Sequence, residues 1–332
     1  MELVHLLHFG LMGAILTILT AHALEMILLL RTCITVFGGK FNKKYVMNWF
    51  YYGMMSIYSK IGNEIYMFIY ILLFMYGGKV ARAYIGICEA IASVISYSAS
   101  IAAPIYAKSL RDTSESEITE AFDLALMFAL PLLAGSISLS KSLLSILKIQ
   151  YAKLSPILVV LSISSLFKVF SLIFANIISG LERVDLHEGA TLRRLIRSKI
   201  FLLYSTPYVL AGILIPLSYY TLANFGVGPF GKALLFAFLI ALARFISVVL
   251  DFFIAKSGYR FKILTRHVCK YLVATACMVA FLAVVPSPKR LSWLGVTVVS
   301  GAVVYFAVLA LIDRKTRMYI RSLMALLGVR FE

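Results

Sequence analysis

Apolar runs long enough to cross a bilayer recur along nearly the whole of this chain, and that repetition constrains its fold more than any motif. A membrane-spanning helix takes roughly 20 apolar residues to cover about 30 Å of hydrocarbon. Such runs fall at about 3–31, 46–75, 83–107, 121–147, 155–180, 198–220, 231–256, 268–286 and 292–312, which predicts nine transmembrane helices. Strict two-residue alternation is missing, which argues against a β-barrel. The 332 residues are 61% hydrophobic, more than a water-soluble fold of this length accommodates beside the polar surface it must supply. The expected fold is all-α and polytopic.

A formal charge of +17 raises the question of nucleic acid. The cations, however, alternate between the segments joining the spans. Odd-numbered segments hold 21 Lys and Arg against 7 in the even-numbered ones, so most of the charge is topological and nucleic acid is the weaker reading. The positive-inside rule then places the odd segments and the C-terminus in the cytoplasm and the N-terminus outside. The first span is longer than a signal-peptide core and lacks a basic start, so it is expected to stay as an anchor. The basic stretch 183–199, with Leu186, Leu192, Leu195 and Ile196 interspersed, is expected to contact anionic lipid at the cytoplasmic face. Cys33, Cys88, Cys269 and Cys277 show no metal-binding or disulfide spacing.

Ionisable residues inside the spans carry the functional argument, because a charge in hydrocarbon is costly and marks a pathway, a partner or a ligand. Lys60 lies near the middle of the second span with Asn63 and Glu64 about one turn on. The plainer alternative is that Lys60 and Glu64 simply neutralise each other. Glu89 sits about two turns into the third span, Lys168 near the middle of the fifth, and Arg244 at mid-depth in the seventh with Asp251 two turns below on the same face. Lys60, Lys168 and Arg244 fall at one depth, and three cations there favour an anionic ligand if they share a cavity. His22 and Glu25, three apart in the first span, share a helix face. Pro131 interrupts the fourth span, frees a backbone carbonyl and predicts a kink.

From about Tyr45 onward the chain resembles the polysaccharide-biosynthesis flippases, the Wzx-type transporters of the superfamily that also holds the MATE-like multidrug exporters and the lipid II flippase. The residues carrying the resemblance are Asn63-Glu64, the helix entry Ala83-Tyr84-Ile85-Gly86, and the run Pro104-Ile105-Tyr106-Ala107-Lys108-Ser109. Ala129-Leu130-Pro131-Leu132, then Tyr151 with Pro156, and finally Gly180 within Ile178-Ser179-Gly180-Leu181-Glu182-Arg183 follow in the family's order. The resemblance implies a C-terminal flippase lobe over 41–260, preceded by a single helix (1–40) left from an N-terminal lobe. Two further helices and a basic tail (261–332) would follow. In that family two lobes enclose the substrate path, and alternating access rocks one against the other. Either this sequence is a fragment or the product of a split or decayed gene, or an N-terminal-lobe partner or a second copy supplies the other wall.

The function so implied is translocation of a lipid-linked anionic oligosaccharide for glycan biosynthesis in the cell membrane, with no covalent chemistry and no cofactor. Lys60, Lys168 and Arg244 would bind substrate; Asn63, Glu64, Glu89 and Asp251 would serve ion coupling or gating. The alternatives are a cation-coupled drug exporter, which predicts buried acids outnumbering buried bases, and a non-transporting accessory subunit. A membrane glycosyltransferase would need a large charged external loop, and the external segments are short.

Overall fold

The computed structural model describes residues 10–34, 43–101, 115–182, 196–257, 265–285, 290–313 and 316–318. Among these every regular element is helical: α1 (Gly10–Ile34), α2 (Lys43–Ser96), α3 (Ser98–Ile101), α4 (Glu115–Ser138), α5 (Ser140–Leu147), a 3₁₀ turn (Ile149–Leu154), α6 (Ser155–Glu182), α7 (Lys199–Asn224), α8 (Gly228–Lys256), α9 (Thr265–Val284) and α10 (Leu291–Ile312). Most of the basic stretch expected to meet lipid (183–195), the run 102–109 and the tail beyond Met318 lie outside the described residues.

Met1–Phe50 and Tyr51–Glu332 are separate compact units. In the first, α1 exposes large apolar side chains from Met12 to Leu30, with His22 Nδ1 3.4 Å from Glu25 Oε2 as their spacing predicts.

Six helical stretches are long and apolar enough to cross a membrane, or seven when α4 and α5 count as one bent span. The first of these, Gly53–Ser100, has 48 residues, about 72 Å if straight and far more than one crossing needs. It is not straight. Tyr70 and Glu89 are 19 residues apart, about 28 Å along a continuous helix, yet their side chains hydrogen-bond at 2.5 Å. The reversal falls at Gly78, whose φ of 72° and ψ of 179° suit essentially only glycine. Gly77 beside it has no room for a side chain: a Cβ there would lie 2.7 Å from that of Ala81. Gly77-Gly78 therefore turns α2 into a hairpin of two arms, 43–77 and 79–96.

The two arms bury Ile69, Leu73, Ala81, Ile85 and Cys88 in one cluster with Leu158 and Leu161 of α6, Leu214 of α7 and Phe236 of α8. Helices α6 and α8 pair extensively. Ring contacts between Phe167 and Phe245 and between Phe174 and Phe252 advance together along both chains, so the two helices run parallel. One crossing, α7, between them requires that sense.

The fourth predicted span is bent by 67°, and not where the proline predicts. Helix α4 continues through Pro131, and the break comes at Leu139. Pro131 has no N–H for the carbonyl of Met127, four residues earlier. The buried hydroxyl of Tyr305 on α10 supplies that donor at 2.7 Å, so the helix need not kink there. The bend lies instead between two buried serine pairs, Ser136 with Ser162 and Ser140 with Ser155, each 2.7 Å apart, which hold both sides of it against α6.

Large apolar side chains cover the outside as well as the core, among them Met54, Ile57, Phe68 and Phe74 on α2 and Trp293, Val299 and Val303 on α10. A soluble surface rarely carries so large a contiguous apolar area. The chain is a multi-pass helical membrane protein.

Candidate functional site

Folding α2 back on itself returns its second arm, which carries Arg82 and, two turns later, Glu89, to the side of Tyr70. The Arg82 guanidinium lies 4.6 Å from the centre of the Tyr70 ring, and the Tyr70 hydroxyl donates to Glu89 Oε1. Across from this pair, α8 presents Arg244, with Nη2 3.9 Å from Glu89 Oε1 and Nη1 donating to Ser165 Oγ on α6 at 3.4 Å. Lys168 lies one turn beyond Ser165. These side chains, with Ser93 and Ser96, line one cavity of about 430 Å³.

Three cations face this cavity against a single carboxylate. Glu89 is shared between Tyr70 and Arg244, and both Glu89 and Arg244 keep only 23% of their side-chain surface exposed. Among the described residues Lys168 is exposed and makes no ion pair, and Arg82 is held only by the Tyr70 ring. A low-dielectric surrounding with surplus positive charge attracts an anion. Guanidinium forks match phosphate and carboxylate geometry, while the serine hydroxyls add neutral donors and acceptors.

The other face of the same arm borders a different space. Ile91, Val94 and Ile95 line an apolar cavity of about 270 Å³ with Phe128 and Leu132 of α4, Leu282 of α9 and Phe306 of α10. One helix thus separates a cationic cavity from an apolar one.

No family model matches the chain, and no curated protein matches it. Among solved structures, the lipid II flippase MurJ in an inward closed conformation is similar over 79% of this chain and 52% of its own, with 18% identity and a TM-score of 0.49. The chain therefore spans about half the length of that protein.

Of the residues singled out in the sequence, Lys168, Arg244 and Glu89 meet in the cationic cavity. Lys60 and Glu64 do not line it. They pair with each other at 3.1 Å, with 75% and 64% of their side chains exposed, and Asn63 donates to the Ser59 carbonyl at 2.9 Å. Lys60 is seven residues before the cavity-lining Met67, so it shares that helix face about two turns away. Asp251 is buried between α6 and α8, away from the cavity lining. Arg82, Tyr70 and Ser165 escaped the sequence reading. Arg82 read as a connecting-loop cation, and only the reversal at Gly78 aims it at Tyr70.

Proposed function

We propose that this chain forms part of a flippase that carries a polyprenyl-linked anionic oligosaccharide from the cytoplasmic to the external face of the cell membrane. The observation that carries this reading is the pairing of a cationic and an apolar cavity on two faces of one helix. A lipid-linked sugar phosphate has a charged head and a long apolar tail, and it needs both environments. Arg244, Lys168 and Arg82 would hold the phosphate, and Ser93, Ser96 and Ser165 the sugar hydroxyls. A drug exporter driven by buried acids fits less well, since bases outnumber the acid in the cavity.

The stripe of Lys60, Asn63 and Glu64 extends this path. Charged groups on a membrane helix are covered by protein or line water, because contact with hydrocarbon is too costly. A second body, either an N-terminal-lobe partner or another copy, would cover the stripe and complete the opposite wall, with Glu64 as the gating group. The charge alternation between spans supports an external N-terminus and a cytoplasmic C-terminus.

The test is binding to the full chain in nanodiscs, using a fluorescent polyprenyl pyrophosphate sugar and the corresponding polyprenyl alcohol. The phosphate-bearing lipid should bind more tightly. Lys168→Ala and Arg244→Ala should each weaken it about tenfold, within the range for hydrogen bonds to charged groups. Glu89→Gln, which removes the carboxylate, should strengthen it severalfold. Equal binding of the alcohol, or weaker binding by Glu89→Gln, would overturn the reading.

A further inference from the structure

Asp251 is 2% exposed on a helix long and apolar enough to span a membrane. Its Oδ2 accepts a short hydrogen bond from Ser171 of α6 and a longer one, 3.4 Å, from Ser247 one turn earlier on α8. The two serine oxygens are themselves 3.3 Å apart. Its Oδ1 is fully buried and has no hydrogen-bond partner among the described residues.

The charged and titratable groups on the packed elements are otherwise placed. Arg244, seven residues earlier on α8, is turned to Glu89 and Ser165, and Lys256 lies over the Phe252 ring at 5.9 Å. Lys168 on α6 lines the cavity one turn before Ser171, while Lys199 and Tyr204 belong to α7 and Asp123 to α4. Among the described residues Asp251 has no ion pair. A carboxylate held bare in such surroundings costs several kcal/mol, so it is neutral or neutralised. The available donors are a carboxylate and two hydroxyls from two helices, a hard-oxygen set suited to a hard ion.

We propose that Asp251, Ser171 and Ser247 form a binding site for a small monovalent cation, either a proton on the carboxyl or a sodium ion held by the carboxylate and the two hydroxyls. The site joins α6 to α8 and is separate from the anion-attracting cavity, so it stands whatever that cavity carries. Ser171 and Ser247 hold Oδ2 in place; a proton would reside on the unpartnered Oδ1, whereas a sodium ion would be ligated by the carboxylate and by the lone pairs of the two hydroxyl oxygens.

Two measurements on the full chain in nanodiscs test it. Infrared difference spectroscopy across a pH titration reads a protonated carboxyl directly, and thermal unfolding in NaCl against choline chloride reads sodium. The expected result is one of two signals that disappears in Asp251→Asn: a carboxylic-acid band persisting well above the pH at which free carboxyls ionise, or a sodium-specific rise in Tm. Asp251→Asn is isosteric and uncharged, so it should fold. Should it fail, Ser171→Ala with Ser247→Ala leaves the carboxyl in place. That pair should weaken sodium binding at least tenfold or shift the carboxyl titration by a pH unit or more. An Asp251 that is ionised throughout the titration with no sodium effect on Tm overturns the proposal. So does either signal surviving unchanged in both sets of variants.

Discussion

The hydroxyl of Tyr305 donates a 2.7 Å hydrogen bond to the backbone carbonyl of Met127, the acceptor that Pro131 leaves without its helical donor. A proline in the middle of a membrane helix is thereby accommodated by a neighbour five spans further along the chain. In hydrocarbon no water is at hand to take the carbonyl instead.

Tyr305→Phe should therefore destabilise the protein by about 1–3 kcal/mol, the cost of leaving a buried acceptor unmade. Pro131→Ala restores an N–H to the Met127 carbonyl, so in the Tyr305→Phe background it should recover most of the lost Tm. Thermal unfolding of the two single variants and the double variant measures the coupling. Strict additivity would show that the two residues are not linked.

At Gly78 the reversal depends on a backbone region closed to side chains. Gly78→Ala should cost about 1–3 kcal/mol. It should also pull apart the arms that hold Tyr70 against Glu89. A pair of cysteines at positions 70 and 89 would report this: crosslinking should be efficient with Gly78 and markedly reduced with alanine. Undiminished crosslinking would mean that the hairpin does not need the glycine.

The C-terminal end of α10 carries a pH-dependent clamp. Asp313 is buried there, with Lys270 Nζ at 2.7 Å, the Thr316 N–H and hydroxyl each at 3.1 Å, and His267 Nδ1 at 3.8 Å. Burial pushes its carboxyl up, but the Lys270 and Thr316 hydrogen bonds outweigh it and hold the group below the ordinary 3.8. A carboxyl depressed on folding contributes stability that is full above its unfolded pKa and is lost as pH falls through the folded value. Tm should then drop with acidification below about pH 3.8, and that part of the drop should vanish in Asp313→Asn. An unchanged acid limb in the variant would sink this assignment.

Much of the architecture was legible in local pattern. Hydrophobic length announced the spans, because crossing hydrocarbon is a requirement on each stretch by itself. The gap between the apolar runs 46–75 and 83–107 marked the turn in α2, and the spacing of His22 and Glu25 predicted their contact. The position of the bend was not legible. A proline breaks a helix only if the carbonyl it frees finds no other donor, and Tyr305 is 174 residues beyond Pro131. The cavity was half legible. Lys168, Arg244 and Glu89 stood out as charges in apolar runs, whereas Arg82 and Tyr70 looked ordinary beside a turn.

The sequence by itself determined that this chain is a bundle of membrane helices with charges it must shelter, since length, hydropathy and the cost of a buried charge are local quantities. Tertiary structure decided which charges share a space. Rotation of each helix about its axis, the reversal at Gly78 and the parallel register of α6 and α8 bring Arg82, Glu89, Lys168 and Arg244 to one cavity. They leave Lys60 and Glu64 paired on an open face and seal Asp251 among serines. Those placements follow from packing between distant segments, which no single stretch of the chain encodes.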